Sequence, residues 1–306
     1  MTVQILLSTY NGEKYISQQI DSLLSQSYSD LDILIRDDGS NDGTLDIIEM
    51  YMSRYPSQIR LIRGKNIGVI NSFFELLREA RTDAQYYSFC DQDDIWKKTK
   101  VEVSILKLME QNNNKPLLFC SATQLTDSKL KEIKVWPQRP GKALGFYNAL
   151  VENVVVGATI TINRKARDGL IKCVPDNENI IMHDWWIYLF ISAFGEIIYE
   201  SDPTILYRQH ESNVVGGNKT FLDILLRKFM SFSENRGRRL LYKQALEFWK
   251  CYGDKISGGN KEQLRLFLDE RESLVQKLVF LKRSKLYRQN FLGNMLFKML
   301  VMVGYI

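Results

Sequence analysis

The sequence predicts an α/β fold with a mainly parallel sheet and flanking helices, followed by a helical C-terminal region. Three observations support this prediction. Apolar strand patterns alternate with amphipathic helical patterns through residues 1–120, polar clusters follow three of the strands, and the pattern is helical beyond Lys219. Strands that alternate with single helices are joined by right-handed crossovers, and they therefore form a mainly parallel sheet.

Residues 1–100 contain four predicted strands and three predicted helices. The strands are Val3–Leu7, Leu31–Arg36, Ile59–Arg63 and Tyr86–Cys90; one helix carries the stripe Ile16, Ile20, Leu23 and Leu24, and the others span Thr44–Tyr55 and Asn71–Arg81. The polar clusters Thr9–Gly12, Asp37–Gly43 and Asp91–Asp94 each follow a strand. Because ligands of such sheets bind beyond the carboxyl ends of the strands, we expect these clusters on one functional rim.

The rest of the chain is first less regular and then helical. Strands are predicted at Leu117–Ala122, Val154–Ile162 and Ile197–Glu200, with a short apolar helix at Asp184–Phe194. The tail carries two apolar stripes at helical spacing, namely Phe221, Leu222, Leu225 and Phe229, and then Phe291, Leu292, Met295, Leu296, Met299, Leu300 and Val303.

Length and composition restrict the class of protein. A chain of 306 residues suggests about two domains. Its 45% hydrophobic and 25% charged residues exclude disordered, collagen-like and polytopic membrane proteins. The four cysteines form no CxxC pair and no zinc spacing. With no basic leader and no apolar run of about 18 residues, the sequence predicts a cytoplasmic protein.

Charge is distributed unevenly along the chain. From Lys219 onward there are 18 basic and 8 acidic residues, whereas the preceding part has 23 basic and 28 acidic residues. A basic tail of amphipathic helices suits an anionic membrane surface. The alternative is a helical subdomain that packs on the preceding domain or forms a homodimer.

Two acidic clusters suggest chemistry. The three carboxylates in Asp91–Asp94 repel one another unless a cation or protons compensate them, and after a buried strand they suit Mg²⁺ or Mn²⁺ held against a diphosphate. The alternative is an acidic turn that caps the next helix through Asp94. In Asp37–Ser40, a carboxylate can accept the N3–H of uracil or thymine, or the segment serves turn chemistry alone.

The order of these segments resembles the family 2 glycosyltransferases, which use nucleotide-diphospho-sugars and have the Rossmann-like GT-A fold. The resemblance covers about residues 1–215, and its matching pieces are Ser8–Gly12, Asp37–Thr44, Asn66–Gly68 and Asp91–Trp96. More narrowly, the run Tyr207–Gly216 resembles bacterial rhamnosyltransferases that build cell-wall or capsular polysaccharide. This implies a catalytic domain at 1–218, with a nucleotide-binding half at 1–100 and an acceptor half at 101–218, before a basic helical region at 219–306.

The resemblance implies binding roles for individual residues. Thr9 and Tyr10 would flank the nucleotide base, with Glu13 near it. Asp38 would accept the base N3–H, and Asn66 would also lie at the nucleotide-sugar.

The resemblance also implies a diphosphate and metal site. Asp91 would meet the ribose and Asp93 would bind the Mn²⁺ or Mg²⁺ ion, with His210 as a further metal ligand. Arg208 would neutralise diphosphate charge through its fork of N–H donors.

The family's catalytic base is an Asp or Glu at the start of a helix that faces the acceptor, and Asp184 is the best match. His183 stands where the family commonly has Glu. Trp185 and Trp186 offer flat faces for an acceptor sugar, or they are core residues behind an N-cap. A metal phosphohydrolase built on His183 and Asp184 is disfavoured, because the chain has only 2 His.

Together these roles imply single displacement with inversion. The donor expected is dTDP-β-L-rhamnose, with a UDP-hexose as the alternative, and the acceptor is a lipid-linked saccharide. The tail would attach the enzyme peripherally to the inner, anionic face of the cell membrane.

Two other classes explain less of the sequence. A non-enzymatic nucleic-acid- or membrane-binding protein would explain the basic tail but not the acidic clusters of the preceding sheet, and no nucleic-acid partner is expected. A dinucleotide-dependent oxidoreductase would carry a G-x-G-x-x-G fingerprint, which this sequence lacks.

Overall fold

The computed structural model describes residues 1–209 and 239–306, which belong to two compact units. Unit 1 comprises Met1–Arg139, Val155–Val174 and Phe194–Asn213, and unit 2 comprises Pro140–Val154, Pro175–Ala193 and Val214–Ile306. The predicted boundary at residue 218, the stripe that begins at Phe221 and the predicted ligand His210 lie outside the described residues.

The strands of the described chain lie in unit 1 and form two sheets. They are β1 (Val3–Thr9), β2 (Leu31–Asp37), β3 (Ile59–Arg63), β4 (Tyr86–Asp91), β5 (Ile95–Trp96), β6 (Leu117–Ser121), β7 (Thr123–Thr126), β8 (Glu132–Trp136), β9 (Thr161–Asn163), β10 (Glu196–Glu200) and β11 (Ile205–Arg208).

Helices occur in both units. Unit 1 contains α1 (Ile16–Leu24), α2 (Thr44–Arg54), α3 (Gly68–Glu79), α4 (Lys100–Met109) and α6 (Arg164–Leu170). Unit 2 contains α5 (Phe146–Ala149), α7 (His183–Phe194, except its last residue), α8 (Leu240–Tyr252), α9 (Gly258–Leu268), α10 (Leu274–Arg283) and α11 (Phe291–Met302).

The main sheet has the order β10-β6-β9-β4-β1-β2-β3. Neighbouring strands are parallel except at β9, which runs antiparallel to both β4 and β6. The smaller sheet has the order β5-β11-β7-β8. The mainly parallel sheet confirms the predicted fold class and brings the carboxyl ends of β1, β2 and β4 together.

Apolar side chains fix this arrangement in unit 1. Ile5 of β1 and Ile33 of β2 are at most 1% exposed, and in α1 the spacing of Ile16, Ile20 and Leu23 turns three fully buried side chains toward the sheet. Burying one such side chain contributes about 1.5–3 kcal/mol.

Three features differ from the sequence predictions. The predicted strand Val154–Ile162 is a 3₁₀ turn at Gly157–Thr159 followed by the short antiparallel β9. Helix α4 and the small sheet were not predicted.

The helical character predicted beyond Lys219 is confirmed for residues 240–302, where α8 to α11 follow one another.

Within the described residues, no helix combines the length and the apolar composition needed to cross a membrane.

Candidate active site

The loop after β1 is held by one side chain from the loop after β4. Gln92 Oε1 accepts hydrogen bonds from Thr9 Oγ1 at 2.6 Å and from Tyr10 N at 2.8 Å, and Gln92 Nε2 donates to Tyr10 O at 3.1 Å. Thr9 is buried and Tyr10 is exposed. Gln92 therefore joins the two predicted clusters into one site. Sequence reasoning did not identify Gln92 as a site residue. The available signal was its side-chain amide between Asp91 and Asp93, because an amide can both donate and accept hydrogen bonds, whereas an ionised carboxylate only accepts them.

Replacing Gln92 by leucine is expected to destabilise unit 1 by about 1–3 kcal/mol, because the buried Thr9 hydroxyl loses its acceptor. The measurement is the urea midpoint of unfolding, compared with Gln138→Leu at an exposed position. Equal midpoints for the two variants would mean that the Gln92 contacts contribute nothing to the fold.

The loops after β1 and β2 are also joined to each other. Asn11 N donates to Ser40 Oγ at 2.8 Å, and Asn41 N donates to Asn11 Oδ1 at 2.9 Å. Glu13 Oε2 accepts a hydrogen bond from Gly43 N at 3.1 Å. The Glu13 carboxylate thus has a structural contact in addition to its predicted place near the base.

Asp38 is buried at the end of β2 and is the centre of a polar network. Its Oδ1 accepts hydrogen bonds from Arg36 Nη1 at 2.6 Å and Ile67 N at 2.8 Å, and its Oδ2 accepts one from Gly68 N at 2.9 Å. Those two amides begin α3, so the carboxylate fixes the loop that carries the exposed Asn66. The predicted hydrogen bond from the N3–H of the nucleotide base would use the remaining acceptor capacity of Asp38 Oδ2.

The glycine after Asp38 permits this close approach. Gly39 has a φ of +83°, and a Cβ there would lie 3.1 Å from Asn66 N. A side chain at this position would be strained and would push the Asn66 loop away.

The three carboxylates of the acidic turn after β4 differ in how deeply they are buried. Asp91 and Asp93 are half-buried, whereas Asp94 is buried and accepts a hydrogen bond from Arg208 N at 3.2 Å. Burial raises the pKa of Asp94 well above its usual range, and the negative charges of Asp93 and Asp91 raise it further. Asp94 therefore belongs to the support of the turn.

The two outer carboxylates fit a hard divalent cation, because Asp91 and Asp93 supply oxygen donors where negative charge accumulates. The described residues contain no cluster of three or more side chains able to ligate a metal. The predicted third ligand, His210, falls outside them.

Arg208 is buried beneath the same turn. Its Nε donates to Asp93 O at 2.9 Å, its Nη1 to Ser128 O at 2.9 Å and its Nη2 to Gln18 Oε1 at 2.7 Å. The guanidinium also lies 4.5 Å from the ring centroid of Tyr15. These contacts tie β11, the acidic turn and α1 together, so Arg208 positions the turn in addition to its predicted role toward the diphosphate.

In unit 2, the predicted catalytic base lies in the first turn of α7. Asp184 is half-buried, and its Oδ1 accepts a hydrogen bond from Trp185 N at 2.6 Å. Trp185 Nε1 donates to Ala149 O at 2.6 Å. Trp186 is fully buried and packs edge-on against Phe248 with the ring centroids 5.6 Å apart. Trp186 is thus a core residue, and Trp185 is the member of the pair with surface left for an acceptor.

The loop before Asp184 is held by α8. Asp176 N donates to Glu247 Oε1 at 3.3 Å, Asn179 Nδ2 donates to Glu247 Oε2 at 3.1 Å, and Ile181 N donates to Gln244 Oε1 at 3.0 Å. Sequence reasoning did not identify these two positioning residues. Polar side chains beside the apolar stripe of α8 were the available signal.

His183, which precedes Asp184, is buried, and this burial lowers its pKa to about 3 from an ordinary value of 6.5. The unfolded chain binds a proton at this histidine below pH 6.5, whereas the folded protein does not until about pH 3. Stability is therefore lost as the pH falls through this window.

Acidification from pH 7 to pH 4 is expected to remove up to about 3 kcal/mol of stability through His183. The measurement is the free energy of urea unfolding of wild type and His183→Asn at several pH values. The variant is expected to show a shallower decline, and parallel curves would contradict the assignment.

The site can be compared with known proteins. A family model described as "Glycosyl transferase family 2" matches residues 4–168. This range includes the loops that follow β1, β2 and β3 and the acidic turn after β4. The chain is 33% identical over 226 residues to the "dTDP-rhamnosyl transferase RfbG" of Shigella flexneri, covering 70% of this chain and 75% of that protein.

Solved structures share the fold. S. aureus TarS 1–349 in complex with UDP-GlcNAc has a TM-score of 0.56 at 17% identity, covering 100% of this chain and 91% of that one. The mannosyltransferase PcManGT from Pyrobaculum calidifontis, in complex with GDP-Man and Mn²⁺, has a TM-score of 0.53 at 12% identity, covering 99% and 80%. This likeness confirms the predicted fold class.

Proposed function

Because the chain belongs to glycosyl transferase family 2, we propose that it transfers L-rhamnose from dTDP-β-L-rhamnose to a lipid-linked saccharide. The product is a precursor of cell-wall or capsular polysaccharide, and transfer inverts the anomeric centre. One observation carries the site assignment: Gln92 brings the Thr9–Tyr10 loop and the acidic turn together at the carboxyl edge of the sheet. The 33% identity to RfbG supports the rhamnose donor.

The nucleotide binds along the loops that follow β1, β2 and β3 in unit 1. Thr9 and Tyr10 flank the base, with Glu13 close to them. Asp38 accepts the N3–H of thymine with Oδ2, and Asn66 completes the nucleotide-sugar site from the loop that Asp38 holds.

Asp91 binds the ribose, and Asp93 holds a Mg²⁺ or Mn²⁺ ion, with His210 as a further ligand. The bound cation supplies positive charge against the diphosphate leaving group. The PcManGT complex with GDP-Man and Mn²⁺ supports a divalent metal in this fold. Arg208 keeps the acidic turn in place from below and adds positive charge on the same side.

Asp184 acts as the general base. It removes the proton from an acceptor hydroxyl while that oxygen attacks the anomeric carbon, and the bond from this carbon to the diphosphate oxygen breaks. The proton ends on Asp184 and the bonding electrons leave with the diphosphate. Because the donor is β-linked, a single displacement gives an α-L-rhamnosyl product. Alignment of the reactants contributes much of the rate.

The acceptor is a saccharide on a lipid carrier, stacked on Trp185. The enzyme works in the cytoplasm, attached peripherally to the inner face of the cell membrane.

A UDP-hexose donor is the second candidate. Uracil presents the same N3–H to Asp38 as thymine does, and the TarS neighbour was solved with UDP-GlcNAc.

The experiment is release of free nucleoside diphosphate from dTDP-β-L-rhamnose and from several UDP-hexoses, with Mn²⁺, with Mg²⁺ and with EDTA. Release of dTDP that needs a metal and a glycoside acceptor is expected. Release of UDP alone would select the second candidate. No release from any donor would contradict the proposed function.

A further inference from the structure

Helix α10 exposes an apolar side. Leu274, Val275, Leu278 and Val279 are between 46% and 69% exposed, and their spacing places them on one side of the helix. Phe280 is buried and packs against Phe267 of α9 with the ring centroids 6.4 Å apart. The helix is therefore anchored by one side, while no part of the described chain covers its other apolar side.

Helix α11 repeats this arrangement. Phe291, Leu292, Met295, Met299 and Val303 are between 54% and 76% exposed, and four of them follow one another at intervals of four residues. The buried residues Gly293, Phe297 and Val301 occupy the opposite side. Such a run of large exposed side chains is unusual for a soluble surface.

The two helices are neighbours within unit 2. Lys277 Nζ of α10 donates to Met302 O of α11 at 3.0 Å. The connecting segment is fixed to α9, because Lys285 N donates to Gln263 Oε1 at 2.7 Å. The exposed apolar side chains of α10 and α11, which we call the α10–α11 surface, thus belong to one packed helical body.

Charge identifies the kind of partner that fits this surface. Residues 273–306 contain no Asp or Glu, and their basic residues are Lys277, Lys282, Arg283, Lys285, Arg288 and Lys298. Two copies that met through this surface would bring like charges together, which opposes self-association. An anionic layer with an apolar interior would complement both the charge and the exposed apolar side chains.

We propose that the α10–α11 surface inserts into the interfacial layer of an anionic lipid bilayer, with both helices lying in the membrane plane. In-plane helices bury their apolar side at the boundary between headgroups and acyl chains, and nearby Lys and Arg bind anionic headgroups. The proposal deepens the proposed function, on which it rests for its purpose of delivering a lipid-linked acceptor.

The experiment is sedimentation of the full-length protein with vesicles, without donor or acceptor. Vesicles of phosphatidylglycerol and phosphatidylethanolamine are expected to bind the protein, whereas pure phosphatidylcholine vesicles bind it at least ten-fold less. Raising NaCl from 0.1 M to 0.5 M is expected to weaken the binding. Equal binding to both vesicle types, or none, would overturn the proposal.

Matched variants test the surface itself. Leu278→Ser and Phe291→Ser are each expected to weaken vesicle binding about ten-fold, whereas Leu106→Ser, at a 57% exposed position in α4, leaves it unchanged. Lys282→Gln and Arg283→Gln are each expected to weaken vesicle binding about five-fold. Lys172→Gln, at an exposed position outside this surface, is expected to leave vesicle binding unchanged. Equal losses in the control variants would contradict the assignment.

Two further readouts separate this proposal from its alternatives. Light scattering that shows a dimer lost in Phe291→Ser, with no vesicle binding, would assign the surface to a second copy and overturn the proposal. Transfer to a soluble acceptor is expected to be unchanged in Leu278→Ser. The membrane proposal and the transferase proposal can therefore fail independently.

Discussion

Asp184→Asn is expected to lower kcat by about 10²–10⁴-fold while leaving nucleotide affinity unchanged, because the acceptor hydroxyl loses its proposed proton acceptor. Asparagine keeps the shape of the side chain, and its amide oxygen can still accept the hydrogen bond from Trp185 N. The fold at the start of α7 is therefore expected to survive. The measurements are turnover of dTDP-β-L-rhamnose with acceptor and the Kd of dTDP by calorimetry.

The matched control is Asp254→Asn, at an exposed carboxylate of the same unit. It is expected to turn over at the wild-type rate. If Asp184→Asn keeps more than about a tenth of the wild-type kcat, another group removes the proton and the role of Asp184 as general base is wrong.

Arg36→Met is expected to lower the free energy of unfolding by about 3–5 kcal/mol, because it leaves the buried Asp38 carboxylate without its cation. Arg36 is 1% and Asp38 is 3% exposed. Arg36 also pairs with Glu75 through Nε at 2.8 Å. Urea unfolding monitored by a signal from unit 1 is the measurement. We also expect dTDP to bind more weakly, because Asp38 holds the loop before α3, which belongs to the proposed nucleotide site.

The chain offers a solvent-exposed ion pair as control. Arg63 pairs with Glu49 on the surface, with side chains 64% and 48% exposed, so Arg63→Met is expected to change stability by less than about 1 kcal/mol. A similar small effect for Arg36→Met would show that the buried network at the end of β2 adds little to the fold.

The parallel part of the sheet was predictable because its strands are buried on both sides and separated by amphipathic helices. β9 was not, because its reversed direction depends on pairing with β4 and β6 rather than on its own sequence. A continuous apolar run such as Val154–Ile162 has no periodicity that separates a strand from a turn.

The position of the acidic turn followed from the same reasoning, since carboxyl ends of parallel strands meet at one edge. The different burial of the individual carboxylates in this turn did not follow from the sequence. The buried Asp94 accepts its hydrogen bond from the buried Arg208 of β11, 114 residues further along the chain, and sequence spacing does not encode this contact. The burial of Trp186 likewise depends on α8, more than fifty residues further along the chain.

Inverting transfer by a single displacement fixes the anomeric configuration of the product. The measurement is the one-bond ¹H–¹³C coupling at the new anomeric centre after transfer from dTDP-β-L-rhamnose to a glycoside acceptor. We expect an α-L-rhamnosyl product, which Asp184→Asn forms at least about 100-fold more slowly than wild type. A β-L-rhamnosyl product would mean retention and would contradict the single displacement.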